Sequence, residues 1–173
     1  MSDTLDLDVG RLLESMAAEL APMVRDSAHP VKMVGICTGG VWVAKRLHKS
    51  LGLDSSLGEL NINFYRDDFT QVGMHPLVSP SNLPFSVEGC HVILVDDVLY
   101  TGRTIRAALN ELFDFGRPAR VTLAVLAERL GRELPISANV VGKHVSLEPG
   151  QYVKLAGPEP LELALASSIV SRN

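Results

Sequence analysis

The stretch VILVDDVLYTGRTIRAAL (92–109) decides the fold class of this chain. It opens with four consecutive apolar residues, which are typical of a strand buried on both faces. Two aspartates, Asp96 and Asp97, come next, and a short turn rich in hydroxyl groups leads into a helical pattern of apolar residues over 103–115. The stretch therefore predicts a strand, a tight turn and a helix in direct succession, which is the repeating unit of a parallel α/β sheet.

Similar alternation along the chain indicates one α/β domain over 1–173, with a mostly parallel central sheet flanked by helices. Apolar residues at helical spacing predict helices over 9–24, 41–51 and 103–115. Strands are predicted over 31–36, within ELNINFYRDD (59–68), over 91–95, 121–126 and 140–141, and in the tail segments YVKL (152–155) and LELALAS (161–167). Residues 67–89 contain three prolines and little periodicity, so they predict a long irregular loop that is either functional or disordered.

The composition excludes several classes of protein. A chain of 173 residues that is 46% hydrophobic and 21% charged is ordinary for one globular domain. The net charge of -4 and the pI of about 5.7 argue against a surface that coats nucleic acid or an anionic membrane. Cys37 and Cys90 stand far apart and predict neither a disulfide framework nor a structural zinc site. The sequence shows no secretory signal and no run of ~18 apolar residues, so we expect a soluble, cytoplasmic protein.

The two aspartates stand where a parallel sheet binds its ligands, at the carboxyl ends of the strands. Ionised carboxylates accept hydrogen bonds from sugar hydroxyls and bind hard cations such as Mg²⁺. Because neighbouring side chains of a strand point in different directions, Asp96 and Asp97 do not predict a single bidentate cage. The alternative is that one of them caps the following turn, which two carboxylates in a row make less attractive.

The turn after the aspartates, YTGRT (100–104), predicts an anion site. Backbone N–H groups at the start of a helix carry partial positive charge and point at the ligand. Thr101 and Thr104 add hydroxyl donors, and Gly102 lets the main chain approach a ligand closely. Together with the aspartates, this turn predicts a site for a ribose, its metal ion and its 5-phosphate.

The motif VILVDDVLYTGRT resembles the phosphoribosyl-pyrophosphate (PRPP) binding motif of type I phosphoribosyltransferases. With YRDD and GRELPI, it is similar to the PyrR family of pyrimidine operon attenuation regulators, which have uracil phosphoribosyltransferase activity. The similarity continues through GELNINFYRDDF, DFGRPARVTLAVLAERLGRELPI and VVGKH, and so covers about residues 31–144. It implies the type I phosphoribosyltransferase fold, in which residues 67–89 belong to a flexible hood loop.

The resemblance implies a role for each matching position. Asp96 and Asp97 would contact the ribose hydroxyls and Mg²⁺, and with Arg66 they would be the catalytic residues. Tyr100 stands where related purine enzymes have an aspartate, and a tyrosine fits a pyrimidine enzyme instead. The other implied contacts are Thr101, Gly102, Arg103 and Thr104 with the 5-phosphate, Thr38, Gly39, Gly40, Tyr65, Arg66 and Asp67 with pyrophosphate, and Arg129, Arg132, Val140 and Val141 on the uracil side.

The family implies a Mg²⁺-dependent reaction in which uracil N1 displaces pyrophosphate from C1 of PRPP and gives UMP. No general base stands out in the sequence, so catalysis would depend on orientation and on Mg²⁺ at the leaving group. Arg66 taken alone is better explained as a solvated charge at a strand end, but beside a long loop it becomes a candidate pyrophosphate clamp. We also expect a homodimer or tetramer that binds PRPP, uracil and UMP or UTP.

One departure from the family pattern leaves an alternative function open. The first loop reads Cys37-Thr38-Gly39-Gly40 where the family reads Lys-Thr-Arg-Gly, so two cations that would face pyrophosphate are missing. The alternative is a catalytically weak or inactive transcriptional regulator that senses uridine nucleotides.

The predicted first helix bears on the regulatory half of the resemblance. It has no cation between Arg11 and Arg25. Because affinity for RNA depends on the neutralisation of phosphates by lysine and arginine, we expect RNA binding to be weak. On the base side, Leu130 and Gly131 stand where the family favours glycine and histidine, which changes the expected contacts there.

Overall fold

A computed structural model of the protein describes residues 7–62 and 80–168. In chain order, the helices and strands of these two ranges are α1 (Val9–Arg25), β1 (Val31–Ile36), α2 (Gly39–Leu51), β2 (Gly58–Leu60), β3 (His91–Leu99), α3 (Arg103–Asp114), β4 (Arg120–Arg129), β5 (Val140–Val145), β6 (Gln151–Ala156) and β7 (Glu162–Ser167). Within the described ranges, no helix is both long enough and apolar enough to cross a membrane.

Five strands form a parallel central sheet in the order β2-β1-β3-β4-β5. The strands β6 and β7 form a separate antiparallel pair, which confirms the two weakly patterned tail strands. Helix α2 connects β1 to β2 and helix α3 connects β3 to β4, because parallel strands need a crossover that returns the chain to the same end of the sheet. The predicted α/β class with a mostly parallel sheet is therefore confirmed.

The central strand β3 is buried on both faces. Ile93 and Val95 belong to the core cluster that α1 and α2 cover, whereas Val92 and Leu94 belong to the cluster that α3 covers. Successive side chains of a strand point to opposite faces, so a strand between two helical layers needs apolar residues at every position. This explains the unbroken apolar run at the start of β3.

Capping residues mark the start of α1 and the end of α2. The Asp8 carboxylate caps α1 by accepting a hydrogen bond of 3.2 Å from the Arg11 amide, and Met16 and Leu20 are fully buried beneath the helix. Helix α2 ends at Gly52, whose φ of 59° lies in the left-handed region that glycine adopts without strain. Both ends therefore follow the preferences expected from sequence.

The strand bounds differ from the predicted ones at the carboxyl end of the sheet. The predicted strand over 91–95 continues to Leu99, so Asp96 and Asp97 lie inside β3 and not after it. The physical reason is the pairing with β4, which continues to the partners Leu99 and Glu128, whereas the pairing with β1 ends at Gly35 and Val95. The second strand, predicted within 59–68, covers Gly58–Leu60, and the part of the predicted range from residue 63 onward lies outside the described residues.

The carboxyl end of β3 extends past its pairing with β1, while its pairing with β4 continues. Beyond Val95, β3 has β4 on one side and the loop over residues 37–40 on the other. The predicted loop over 67–89 lies outside the described residues as far as 79. Residues 80–90 are irregular, except for a short bridge in which Asn82 and Glu59 exchange two backbone hydrogen bonds of 2.8 Å.

The β6–β7 hairpin contacts the helical layer. Leu155 and Leu163 are buried in the same cluster as α1 and α2. The backbone of Gly157, between the two strands, lies close against the indole ring of Trp42 in α2, and Arg46 forms an ion pair of 2.6 Å with Glu159. The hairpin thus covers part of α2.

Candidate active site

Asp96 and Asp97 are held by the backbone that follows each of them. The Asp97 amide donates to Asp96 Oδ1 at 2.9 Å, and the Val98 amide donates to Asp97 Oδ1 at 2.8 Å. Asp96 is buried, with 3% of its surface exposed, whereas Asp97 is half-buried. Since a carboxylate accepts several hydrogen bonds, these backbone contacts leave acceptor positions on Asp97 for a ligand.

The loop over residues 37–40, called the glycine loop below, lies directly against these carboxylates. A Cβ added at Gly39 would overlap Asp97 Oδ2, and a Cβ added at Gly40 would lie 2.6 Å from the carbonyl oxygen of Val95. The Cys37 amide donates to the Leu60 carbonyl at 2.8 Å and joins this loop to β2, and the peptide bond between Cys37 and Thr38 is cis. The close approach of loop and strand therefore requires glycine at both positions.

The second loop, over 100–104, begins α3 and is called the phosphate loop below. Gly102 has a φ of 93° at the N-cap, a conformation that favours glycine. The Arg103 amide donates to Thr101 Oγ1 at 3.2 Å, and the Arg106 amide donates to the Gly102 carbonyl at 2.9 Å. Because a helix leaves its first amides without intrahelical acceptors, the start of α3 can receive an anion, as the sequence predicts.

The segment over 130–136 packs on the phosphate loop, a contact that the sequence pattern does not reveal. The amides of Glu133 and Leu134 donate to the Thr101 carbonyl at 2.9 and 3.1 Å. An exposed ion pair of 3.7 Å joins Arg103 to Glu133. The chain that follows β4 is therefore bonded to the loop that follows β3.

Tyr100 is held at two points by arginines from this region. The Arg129 guanidinium lies over the Tyr100 ring, 3.9 Å from its centroid. Arg132 donates from Nη1 to the Tyr100 carbonyl and from Nη2 to the Glu128 carboxylate. The other Glu128 oxygen lies 3.0 Å from Nδ1 of His144.

A cavity of about 280 Å³ opens at the carboxyl ends of β4 and β5. This volume is close to the lower end of the range for small-molecule sites, roughly 300 Å³. Arg129 Nε is buried near it without a hydrogen-bond partner among the described residues. The lining residues are Glu128, Arg129, Leu130, Gly131, Arg132, His144, Val145 and Ser146.

The structure brings most of the predicted site residues to one edge of the sheet. Asp96 and Asp97 lie between the glycine loop, with Thr38, Gly39 and Gly40, and the phosphate loop, with Tyr100, Thr101, Gly102, Arg103 and Thr104. Arg129 and Arg132 line the cavity beside the phosphate loop. Tyr65, Arg66 and Asp67 lie outside the described residues, so their roles stay predictions.

The predicted residues of β5 lie apart from the cavity. Val140 is fully buried and pairs with Ala124 at the start of the strand, and Val141 pairs with Val125. The cavity is lined by the other end of β5 and by the residue after it. A contact of Val140 or Val141 with uracil stays a prediction. The sequence pattern singled out neither His144 nor Glu128; for Glu128, a carboxylate four residues before Arg132 is the only local signal.

The sequence matches a family model over most of its length. The model of the phosphoribosyl transferase domain matches residues 7–151. The protein named "Bifunctional protein PyrR" from Nitrosococcus oceani is 57% identical over 164 residues, which cover 93% of each chain. The protein of the same name from Pseudomonas fluorescens is 56% identical over 155 residues, which cover 89% of this chain and 92% of that protein.

Solved structures share the fold at much lower identity. A hypoxanthine-guanine phosphoribosyltransferase from Bacillus anthracis has a TM-score of 0.64 and 18% identity, with 84% of this chain and 83% of that chain covered. A hypoxanthine phosphoribosyltransferase from Staphylococcus aureus has a TM-score of 0.62 and 19% identity, with 86% and 80% covered. These likenesses show the fold.

Proposed function

The chain belongs to the phosphoribosyltransferase family and, within it, to the PyrR proteins, and from this we propose that it transfers the phosphoribosyl group of PRPP to uracil. The products are UMP and pyrophosphate. The observation that carries the proposal is the placement of Asp96 and Asp97 between two loops suited to anions, one rich in glycine and one at a helix start. A substrate with a phosphate at one end of a ribose and a pyrophosphate at the other fits this order.

The phosphate loop binds the 5-phosphate in this proposal. The first amides of α3 and the hydroxyl groups of Thr101 and Thr104 are the donors. Gly102 supplies the positive φ that this turn needs before α3, and a Cβ there would face the 132–136 segment. Arg103 is an exposed residue of this loop and adds a positive charge.

The two aspartates bind the ribose hydroxyls, because ionised carboxylates are pure acceptors. Their residue types also suit Mg²⁺, which is commonly held by one or two carboxylates together with substrate phosphates and water. Asp97 and Asp96 would hold the ion, which supplies charge neutralisation at the pyrophosphate leaving group.

The glycine loop faces the pyrophosphate and binds it through backbone groups. Thr38 is exposed, and Gly39 and Gly40 bring the main chain against β3. Without lysine or arginine in this loop, binding depends on amides and on the metal ion, so the affinity for PRPP is lower than in relatives with cations there.

Uracil occupies the cavity at the ends of β4 and β5. Its walls offer the Arg129 guanidinium and the backbone of the 130–132 segment to the carbonyl groups of the base. Catalysis then depends on holding N1 of the base close to C1 of the ribose, since a well-oriented pair reacts far faster than free reactants.

The test is UMP formation from labelled uracil and PRPP with Mg²⁺. We expect turnover in the wild type and a loss of roughly 100-fold or more in the Asp96→Asn, Asp97→Asn double variant, since preorganised charge at a site has effects of that size. Asp54→Asn, an exposed aspartate after α2, is the matched control and should keep wild-type turnover. Equal turnover in the double variant would contradict the proposal.

A second candidate function is that of a uridine-nucleotide sensor with little or no turnover. The missing cations of the glycine loop favour it. Folded wild-type protein that binds UMP but forms none from uracil and PRPP would establish this candidate in place of the enzyme.

We also propose a homodimer or tetramer in the cytoplasm with weak affinity for RNA. Helix α1 has two cations, Arg11 and Arg25, and exposes Glu14 and Glu19 between them. This arrangement repels phosphates along most of the helix. Submicromolar binding of a pyrimidine leader RNA in the presence of UMP, at physiological salt, would contradict the RNA part of the proposal.

A further inference from the structure

Glu128, at the carboxyl end of β4, joins three segments of the chain. Its Oε1 accepts a hydrogen bond from Arg132 Nη2, and its Oε2 lies 3.0 Å from Nδ1 of His144 in β5. The Glu128 side chain is 18% exposed, whereas the His144 side chain is 77% exposed. The carboxylate is therefore the enclosed centre of this group.

Arg132 carries the contact onward to the phosphate loop. Its Nη1 donates to the carbonyl oxygen of Tyr100, the first residue of that loop. A guanidinium is planar and presents its donors in a fixed fork, so a partner on one nitrogen determines where the other nitrogen points. Glu128 thus sets the direction of the group that holds the Tyr100 carbonyl.

Among the described residues, backbone amides bond to the Thr101 carbonyl, whereas the Tyr100 carbonyl is bonded by the Arg132 side chain. The amides of Glu133 and Leu134 both bond to the Thr101 carbonyl, which keeps the two segments together. Tyr100 is contacted at its carbonyl by the Arg132 side chain, and at its ring by the Arg129 guanidinium and the backbone of Gly131. Both arginines also line the cavity at the ends of β4 and β5.

We propose that Glu128 is a positioning residue that acts through Arg132 on Tyr100 and so couples the base-side cavity to the phosphate loop. The inference rests on the proposed function for the identity of the two ligands. Glu128 is not itself a phosphate ligand in this scheme. Its effect on phosphate binding is geometric.

Whether loss of the Glu128 carboxylate weakens or strengthens phosphate binding distinguishes a positioning role from a purely electrostatic effect. Loss of a negative charge near an anion site, with Arg132 freed from its partner, should strengthen phosphate binding by Coulomb attraction. Loss of a positioning contact should weaken phosphate binding, because the Tyr100 carbonyl and the loop that follows it lose their orientation. A ligand that carries the phosphate but no base is therefore the suitable probe.

The experiment is titration calorimetry of the full chain with ribose 5-phosphate. Glu128→Ala should weaken binding roughly tenfold, which corresponds to 1.4 kcal/mol. Glu159→Gln removes the partner of another arginine, Arg46, far along the sequence, and should leave the affinity unchanged. Affinity in Glu128→Ala that equals or exceeds that of the wild type would overturn the proposal.

A double-mutant cycle tests whether the two residues act as one unit. If Glu128 acts through Arg132, the Glu128→Ala, Arg132→Ala double variant should bind ribose 5-phosphate no more weakly than the weaker single variant. Losses that add would overturn the proposed route. Glu128→Gln keeps an acceptor oxygen for Arg132, so its affinity should lie between those of the wild type and Glu128→Ala, and affinity above that of the wild type would count against positioning. It also serves as the test variant if Glu128→Ala does not fold.

The probe distinguishes failure of this inference from failure of the proposed function. Ribose 5-phosphate binding requires neither uracil nor turnover. A wild-type protein that forms no UMP but shows the non-additive cycle would refute the enzyme and keep the positioning role. A wild-type protein that forms UMP, together with a Glu128→Ala variant that binds ribose 5-phosphate normally, would keep the enzyme and refute the positioning role.

Discussion

The guanidinium of Arg129 stacks over the ring of Tyr100 at 3.9 Å from the ring centroid. Such a cation–π contact contributes about 0.5–1 kcal/mol at an exposed site. Tyr100 is 45% exposed, and the backbone of Gly131 also lies close against its ring. The stack joins the end of β4 to the start of the phosphate loop.

Replacement of Tyr100 tests this stack. Tyr100→Leu should raise the KM for uracil by roughly twofold to fivefold, because Arg129 loses the face on which it lies. Tyr100→Phe keeps the ring and serves as the control, with a KM close to that of the wild type. Steady-state kinetics at saturating PRPP measure both, and a phenylalanine variant as impaired as the leucine variant would show that the hydroxyl group, not the ring face, matters.

Gly39→Ala should lower turnover by displacing the Asp97 carboxylate. The added Cβ would overlap Asp97 Oδ2, and the side chain can turn away only by leaving its present place beside the glycine loop. A displacement on the order of 1 Å can cost roughly 100-fold in rate. The measurement is kcat for UMP formation, with Lys49→Ala in the last turn of α2 as the control; unchanged kcat in Gly39→Ala would refute the expected role of this contact.

Gly102→Ala and Gly89→Ala form a matched pair. Both glycines have positive φ, 93° and 66°, so each substitution should reduce the free energy of unfolding by about 1–2 kcal/mol. Only Gly102 lies in the phosphate loop, so only Gly102→Ala should also weaken ribose 5-phosphate binding. Urea denaturation and calorimetry check the two effects, and equal ligand affinity in both variants would argue against a phosphate at the start of α3.

His91 makes the stability of the fold sensitive to acid. Burial lowers the pKa of His91 below its usual value, and the positive charges of Arg120 and His29 lower it further. The imidazole lies 2.7 Å from Thr122 Oγ1 and 3.2 Å from Ser27 Oγ. The unfolded chain therefore binds a proton more readily at this residue than the folded chain does.

The sign follows from this difference in pKa. The contribution of His91 to stability is fully present above the unfolded pKa of about 6.5 and is lost as the pH falls below that value, towards the lowered pKa of the folded state. Urea midpoints between about pH 5 and pH 8 should fall on the acid side in the wild type. The fall should be smaller in His91→Gln than in the wild type, and equal slopes in the two proteins would exclude His91 as the cause.

The local pattern around β3 is sufficient to predict the parallel sheet, the position of the two aspartates near the carboxyl end of a strand, and the turn that begins the next helix. These features depend on neighbours in sequence: an apolar run, a turn with glycine and a helical repeat. The end of β3 could not be predicted in this way, because pairing with β4 as far as Glu128 decides it. The contacts of Arg132 with Tyr100 and of Glu128 with His144 could not be predicted either, because they join segments that only the folded sheet brings together.

The match to the phosphoribosyl transferase domain ends at residue 151, yet the β6–β7 hairpin that follows supplies Leu155 and Leu163 to the interior. The hydrophobic core of this protein thus extends beyond the segment that matches the domain model. A chain cut at the end of that segment would leave the Trp42 indole uncovered beside the helix that starts at the glycine loop. A change in the hairpin is for this reason expected to alter how firmly α2 holds the glycine loop, without any change in the loop itself.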